Sequence, residues 1–424
     1  MFKLDPSLKG VVALKIRTSR EPEPNFLTLP WSTPLEEWPD DLAVRLPRGR
    51  HRHVVRFIEH EGHYFALKEL SYDLALVEFN TLLYLKESGL PVVDLVGVAS
   101  ERTAGAQPLD SVLITRHLSY SLPYLHLFAS PQPAEMHDRL IDSLVVLLVQ
   151  VHLAGVFWGD CSLGNALFRR DAGSLVAYLV DTETSEIHER LSDGQRQHDI
   201  MIATENIAGG LFELEAMNKL PAGIDPPTLT AQLEDRYHIL WNELTEAEDV
   251  GVDELWRIHR RLGRLNDLGF DTVELEYIDT GGEGRVRFRP AIVEQGHHRR
   301  LLSQLTGVEA QEHQARRLLS AIGAYTWWLA GRENREIPSG VGAYRWLTER
   351  YNPTMESVPP EARTKLPDPE TYIRILDHAA SLSQESRSDV DLIEAAADWN
   401  RRVLSSLPVE NVVLPVENVV LPDE

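Results

Sequence analysis

Cysteine is almost absent from this chain. Cys161 is the single one among 424 residues, which excludes an intrachain disulfide and a zinc site built on thiolates. Positive charge is scarce too: 65 acidic residues against 42 basic ones give a formal charge of −23. Neutralising phosphates is what drives nucleic-acid binding, so this balance argues against it while leaving room for a local basic nucleotide pocket. Long apolar runs are missing. The most apolar stretch, Leu144 to Trp158, is too short for a membrane span and is interrupted by Gln150 and His152. The opening residues MFKLDPSLKG lack a basic leader, an apolar core and a small-residue cleavage site, so no signal peptide is expected. The expected location is the cytoplasm. His188, His198, His297 and His298 are scattered without zinc spacing, and no metal site is expected from them.

What is present is concentrated in Ala154 to Glu183, AGVFWGDCSLGNALFRRDAGSLVAYLVDTE. An apolar helix ends there, the chain turns at Gly159-Asp160, and Asn165 follows five residues after the aspartate. A short strand (Ala166 to Phe168), a turn at Asp171-Ala172-Gly173 and a second strand (Leu175 to Val180) lead into Asp181. Phosphoryl transfer of the protein-kinase type uses these side chains in this order. One aspartate accepts a hydroxyl proton, while an amide oxygen and a second aspartate hold magnesium at a separation that the hairpin fixes. The run resembles the catalytic loop and metal-binding strand of the protein-kinase-like superfamily. Trp158-Gly159-Asp160 stands where protein kinases carry His-Arg-Asp, and Asp181-Thr182-Glu183 where they carry Asp-Phe-Gly. The latter resembles the Asp-x-Glu of choline and aminoglycoside kinases, in which the second carboxylate helps bind magnesium. Cys161 beside Asp160 reads as a small residue fitted into a tight loop, and His152 as a packed core histidine.

Upstream, LAVRL (42–46), HVVRFIE (53–59) and HYFALKEL (63–70) read as strands, with a turn at Glu61-Gly62. The first turn, Pro47 to Arg52, occupies the place of the glycine-rich phosphate loop but has one glycine, Gly49, and three arginines. Two readings stay open here: Arg50 or Arg52 gives charge to phosphates, or the loop is a solvated basic tip. Phe65-Ala66-Leu67-Lys68 resembles the Val-Ala-Ile-Lys of protein kinases. Lys68 would reach the α- and β-phosphates, held by Glu78 on a helix whose apolar face is expected at Leu74, Val77, Leu82 and Leu85. Gly89 is the expected C-cap. Strands at 93–99 and 111–115 precede a hinge, Ile114 to Leu118, and a buried helix, Met136 to Ala154. The helix after the catalytic stretch is expected to begin near Gln197. Asp199 would then either brace the catalytic loop or be a helix-start charge.

Beyond residue 220 the spacing predicts helices at 233–244, 253–268, 308–329, 341–350 and 389–404. A hairpin turning at Thr280-Gly281-Gly282 lies among them. His297 to Arg300 is a basic cluster that reads as a substrate-anion site or a solvated helix start, and Trp327-Trp328 reads as core. The tail repeats LPVENVV and reads as disordered. An arm rich in proline and tryptophan (1–41) precedes the strands.

Residues 42 to about 215 resemble the lipopolysaccharide kinase (Kdo/WaaP) group, and the remainder resembles a domain of unknown function (DUF4032) fused to it in bacterial proteins. The implied fold is α+β and two-lobed: an antiparallel-sheet N-lobe (42–115), a mainly helical C-lobe (116–220) and an extra α/β-to-helical region (221–405) before the tail (406–424). The resemblance implies ATP and magnesium as cofactors, with Lys68, Glu78, Gly49 and Arg50 on the nucleotide, Asp160 as base, and Asn165, Asp181 and Glu183 on the metal. The expected activity is phosphate transfer to a small-molecule or sugar hydroxyl, with no nucleic acid and no membrane span. A non-catalytic nucleotide-binding scaffold that docks a protein partner through the C-terminal region is the alternative. A Ser/Thr protein kinase ranks lower because no Ala-Pro-Glu follows Asp181.

Overall fold

The computed structural model describes residues 14–18, 25–44, 53–124, 127, 134–221, 223–251, 254–268, 270, 272–279, 285–292 and 296–404. Its N-terminal lobe contains β1 (Lys15–Thr18), β2 (Val54–His60), β3 (His63–Leu70), α1 (Tyr72–Glu87), β4 (Leu95–Ser100), the short pair β5 (Thr103–Ala104) and β6 (Gln107–Pro108), and β7 (Ser111–Arg116). The five long strands form one antiparallel sheet in the order β1-β4-β7-β3-β2. Successive side chains of β3 face opposite ways. Phe65 and Leu67 are buried on the face covered by Phe26, Trp31, Leu35 and Trp38 of the N-terminal arm. The alternate face carries Lys68, so the strand's period alone sends this lysine away from the arm and Glu69 toward it.

Two expectations change here. No strand begins at Leu42: it ends a 3₁₀ turn (Asp40–Leu42), and Ala43 makes only an isolated bridge to Ile58. The sheet takes its far edge from β1 instead, while residues 45–46, Gly49, Arg50, Arg52 and the repeated tail lie outside the described residues. The inward face of α1 is Ala75, Glu78, Phe79, Leu82 and Leu85, whereas Leu74 and Val77 are exposed. A stripe built on 75, 78–79, 82 and 85 keeps the i, i+3, i+4, i+7 spacing through Glu78, which hydropathy alone passes over.

The second lobe runs through β8 (Ser121–Pro123), α2 (Ala134–Leu153), β9 (Val156–Phe157), β10 (Ala166–Asp171), β11 (Ser174–Leu179), β12 (Glu186–Ile187), α3 (Asp193–Ala216) and α4 (Pro226–Thr245). Helix α3 starts four residues before the expected Gln197, because Ser192 and Gln195 form a capping box. Apolar packing does not break near residue 221. Leu229, Leu233, Tyr237, Leu240 and Leu244 of α4 share one core with α2 and α3. Then come β13 (Glu248–Gly251), α5 (Leu255–Asp267), β14 (Thr272–Asp279) and β15 (Arg285–Ile292), with β13 adding a third, unexpected strand to the hairpin. Its turn at 280–282 lies outside the described residues.

A separate helical core opens at Leu302. It contains α6 (His297–Thr306), α7 (Glu312–Glu333), α8 (Ser339–Trp346), α9 (Asn352–Glu356), α10 (Asp368–Ser386) and α11 (Leu392–Arg402). Helix α7 begins at Glu312 rather than Val308, and α10 was not expected. Trp327 is 81% exposed and Trp328 is 42% exposed, so neither is core. The basic cluster at 297–300 is a helix start tied to α7, with His298 Nδ1 lying 3.0 Å from Glu312.

Arg102 fastens the arm to the sheet. Its side chain is fully buried and donates to Glu69 Oε1 (2.6 Å), the Asp110 carbonyl (2.7 Å), the Trp31 carbonyl (3.2 Å) and the Thr33 carbonyl (2.6 Å). Replacing Arg102 by Met removes the cation beside the Glu69 carboxylate, which keeps only the Leu35 amide, and takes a donor from the Trp31, Thr33 and Asp110 carbonyls. The expected loss is about 3–5 kcal/mol, read as a fall in the denaturation midpoint, with part restored by a second Glu69→Gln change.

Candidate active site

The β3 register delivers Lys68 to the cleft, where three carboxylates meet it. Lys68 Nζ lies 3.0 Å from Glu78 Oε2, 2.7 Å from Asp181 Oδ2 and 2.8 Å from Glu183 Oε2. Glu78 comes from α1 and the other two from the segment after β11, so these pairs join the lobes. Burial works against the Lys68 ammonium, but Glu78 and Asp181 outweigh it and hold its pKa above the ordinary lysine value. Glu78 is pushed up to about 8, first by burial and then by repulsion from Asp181, against the attraction of Lys68.

Lys68 carries one positive charge against these three acids, which leaves a surplus of one negative charge while Glu78 holds its proton and of two once Glu78 releases it. A divalent cation would neutralise that surplus. Carboxylate oxygens of Glu78, Asp181 and Glu183 lie within 4.8 Å of one another, close enough to share an ion. Glu183 Oε2 is buried and lies 2.8 Å from Lys68 Nζ and 2.9 Å from His53 Nε2. This donor set of hard oxygens fits magnesium.

The stretch from Trp158 to Asn165 is held from below. Asp199, fully buried on α3, accepts from the Trp158 amide (2.6 Å) and the Gly159 amide (2.9 Å) and pairs with His152 Nε2 at 3.0 Å. It is therefore a brace inside the helix, well past the capping box. His152 Nδ1 lies 2.6 Å from Tyr237 of α4, so the core histidine is also a structural link. Trp158, itself buried, donates its indole N–H to the Asp181 carbonyl at 3.0 Å and so ties the loop to the segment after β11. Gly159 sits at φ +77, and a Cβ there would meet the Thr184 carbonyl at 2.8 Å, so glycine is required. Cys161 is buried, and burial raises its thiol pKa well above the ordinary value, which suits packing rather than redox chemistry.

Asp160 reaches into the cleft between two amides. Asn165 Nδ2 donates to its carbonyl (2.9 Å) and to Oδ2 (3.2 Å), while Asn206 Nδ2 donates to Oδ1 (2.8 Å). The engaged atom of Asn165 is its nitrogen, which leaves the amide oxygen as the ligand atom it can offer. Asn206 and His53 were missed in the sequence. Asn206 lies seven residues after Asp199, on the same helical face, and that spacing was a usable signal. His53 follows a loop without periodicity and gave none. Of the residues named from sequence, Lys68, Glu78, Asp181 and Glu183 share one cluster, and Asp160 and Asn165 stand together on the adjoining loop. Gly49 and Arg50 lie outside the described residues.

Two family models match successive parts of the chain. Residues 47–203 match the "Lipopolysaccharide kinase (Kdo/WaaP) family", and residues 239–404 match "Domain of unknown function (DUF4032)". Among solved structures, "WaaP in complex with acyl carrier protein" aligns at 19% identity over 47% of this chain and 90% of that chain. Its TM-score is 0.30, and nothing further is drawn from it. A search of curated proteins found no match. No helix among the described residues is long and apolar enough to cross a membrane.

Because folding raises the pKa of Glu78, the folded chain holds a proton there that the unfolded chain has released. Stability therefore falls as pH rises from about 5 to 8. In chelator, the thermal midpoint is expected to drop across that range, and Glu78→Gln is expected to flatten the drop.

Proposed function

We propose that this chain, whose residues 47–203 match the lipopolysaccharide kinase (Kdo/WaaP) family, is an ATP- and magnesium-dependent phosphotransferase acting on a sugar or small-molecule hydroxyl. The observation that carries this reading is the meeting of Lys68, Glu78, Asp181 and Glu183 across the cleft, beside Asp160 and Asn165. Glu78 aims the Lys68 ammonium, which would bind the α- and β-phosphates when nucleotide displaces the carboxylates of the second lobe. Asp181, Asn165 and Glu183 would hold magnesium, which supplies charge neutralisation on the phosphates. Asp160, with both carboxylate oxygens oriented by amide donors, would accept the proton of the attacking hydroxyl. The cytoplasm, where ATP and magnesium are abundant, is the setting that this chemistry favours.

The complete set of polar groups favours catalysis over a nucleotide-binding scaffold, since a scaffold has no use for an oriented Asp160. Asp160→Asn is expected to cut transfer from labelled ATP by about 100-fold or more while nucleotide binding persists. Asp181→Ala is expected to lose both. Undiminished transfer by Asp160→Asn would overturn the assignment, and wild-type nucleotide binding without transfer to any acceptor would favour the scaffold.

A further inference from the structure

The chain between Asn165 and Asp181 is the β10–β11 hairpin, and its two ends meet different parts of the molecule. At its base, Val180 N–H donates to the Asn165 carbonyl at 3.1 Å, beside the metal-binding residues. From there a ladder runs without a register shift from the Ala166–Leu179 pair to the Asp171–Ser174 pair. Six paired residues make a stiff rod about 20 Å long.

At its tip the hairpin is gripped by the second helical core. Asp171, 1% exposed, accepts from the Gln314 amide (2.7 Å) and the His313 amide (3.0 Å) in the first turn of α7. Gln311 Nε2 donates to the Arg170 carbonyl at 2.7 Å. Glu370 of α10, also 1% exposed, accepts from the Ala172 amide (2.8 Å) and from Gln314 Nε2 (3.1 Å), and its other oxygen accepts from Arg374 Nε (3.0 Å). Ala172 (φ 52) and Gly173 (φ 90) make a tight turn with both central residues left-handed. Alanine resists that conformation because its Cβ crowds the backbone, and the Glu370 contact to its amide helps hold it there. These contacts are directional and buried. Apolar packing would let the tip slide, but a carboxylate shared between two amides does not.

We propose that the C-terminal helical region braces the metal-binding hairpin, with Asp171, Gln314 and Glu370 as positioning residues that fix where Asn165 and Asp181 stand. This rests on the phosphotransferase reading for the role of those two residues. By linkage, metal–nucleotide binding at the base tightens the grip at the tip, and loosening the tip weakens binding at the base.

The test uses the full chain with Glu370→Gln and Asp171→Asn, which keep side-chain shape. Arg317→Ala, which breaks the exposed Arg317–Asp377 pair between α7 and α10, controls for loosening of the helical region as such. Two readouts are taken: amide hydrogen exchange along 166–181, and Mn²⁺ affinity in the presence of ATP. The brace predicts faster exchange at Val180 as well as at the tip, with Mn²⁺ affinity lowered about tenfold in both Glu370→Gln and Asp171→Asn and unchanged in the control. Exchange altered only at 171–174, with unchanged Mn²⁺ affinity, would overturn it. A wild-type chain that bound no Mn²⁺ with ATP would overturn the phosphotransferase reading and with it the positioning role. The two failures read differently, because only the second appears in the wild type.

Discussion

One ammonium among three carboxylates holds this structure's functional logic together. Lys68 cannot stay charged in a buried cleft without anions beside it, and Glu78, Asp181 and Glu183 cannot crowd together without a cation between them. The cluster joins the lobes electrostatically and leaves negative charge to spare. Under the proposed function that surplus would favour magnesium, and phosphate oxygens would take the place of carboxylate oxygens around the lysine.

Around this centre, buried polar groups rather than apolar contacts set the angles. Asp199 holds two successive amides of the catalytic loop, Trp158 bonds across to the Asp181 carbonyl, and Thr182 Oγ1 reaches the Glu78 carbonyl at 3.4 Å. Each would be costly to leave unpaired, so each fixes a geometry. Tyr237 brings α4 into the same network through His152, which explains why the apolar core of the second lobe continues past residue 221.

Much of the fold was legible because kinase-like chemistry demands residues whose order survives in the sequence. The resemblance of Phe65-Ala66-Leu67-Lys68 to Val-Ala-Ile-Lys picked out Lys68, and the Asp160–Asn165 spacing with a following hairpin picked out the loop. Failures occurred where the deciding force is tertiary. Residues 42–46 have strand composition, yet proline-bounded 3₁₀ turns carry the chain across the sheet before Ala43. Hydropathy placed Leu74 and Val77 inward, although the buried stripe of α1 passes through a glutamate that only its partner lysine explains. Helix α10 was overlooked, and it carries Glu370, whose burial depends on a hairpin almost 200 residues earlier. Trp327 shows the converse, an aromatic that composition assigns to the interior and packing leaves outside.

The most direct measurement is the thermal midpoint of the purified chain with ATP alone, magnesium alone, and both together. If the carboxylate cluster is a metal–nucleotide site, the two ligands act jointly. Near a hundredfold excess over the dissociation constant they stabilise by about 2.7 kcal/mol, and each alone does far less. No shift with both present, or the same shift from ATP in chelator, would contradict the account.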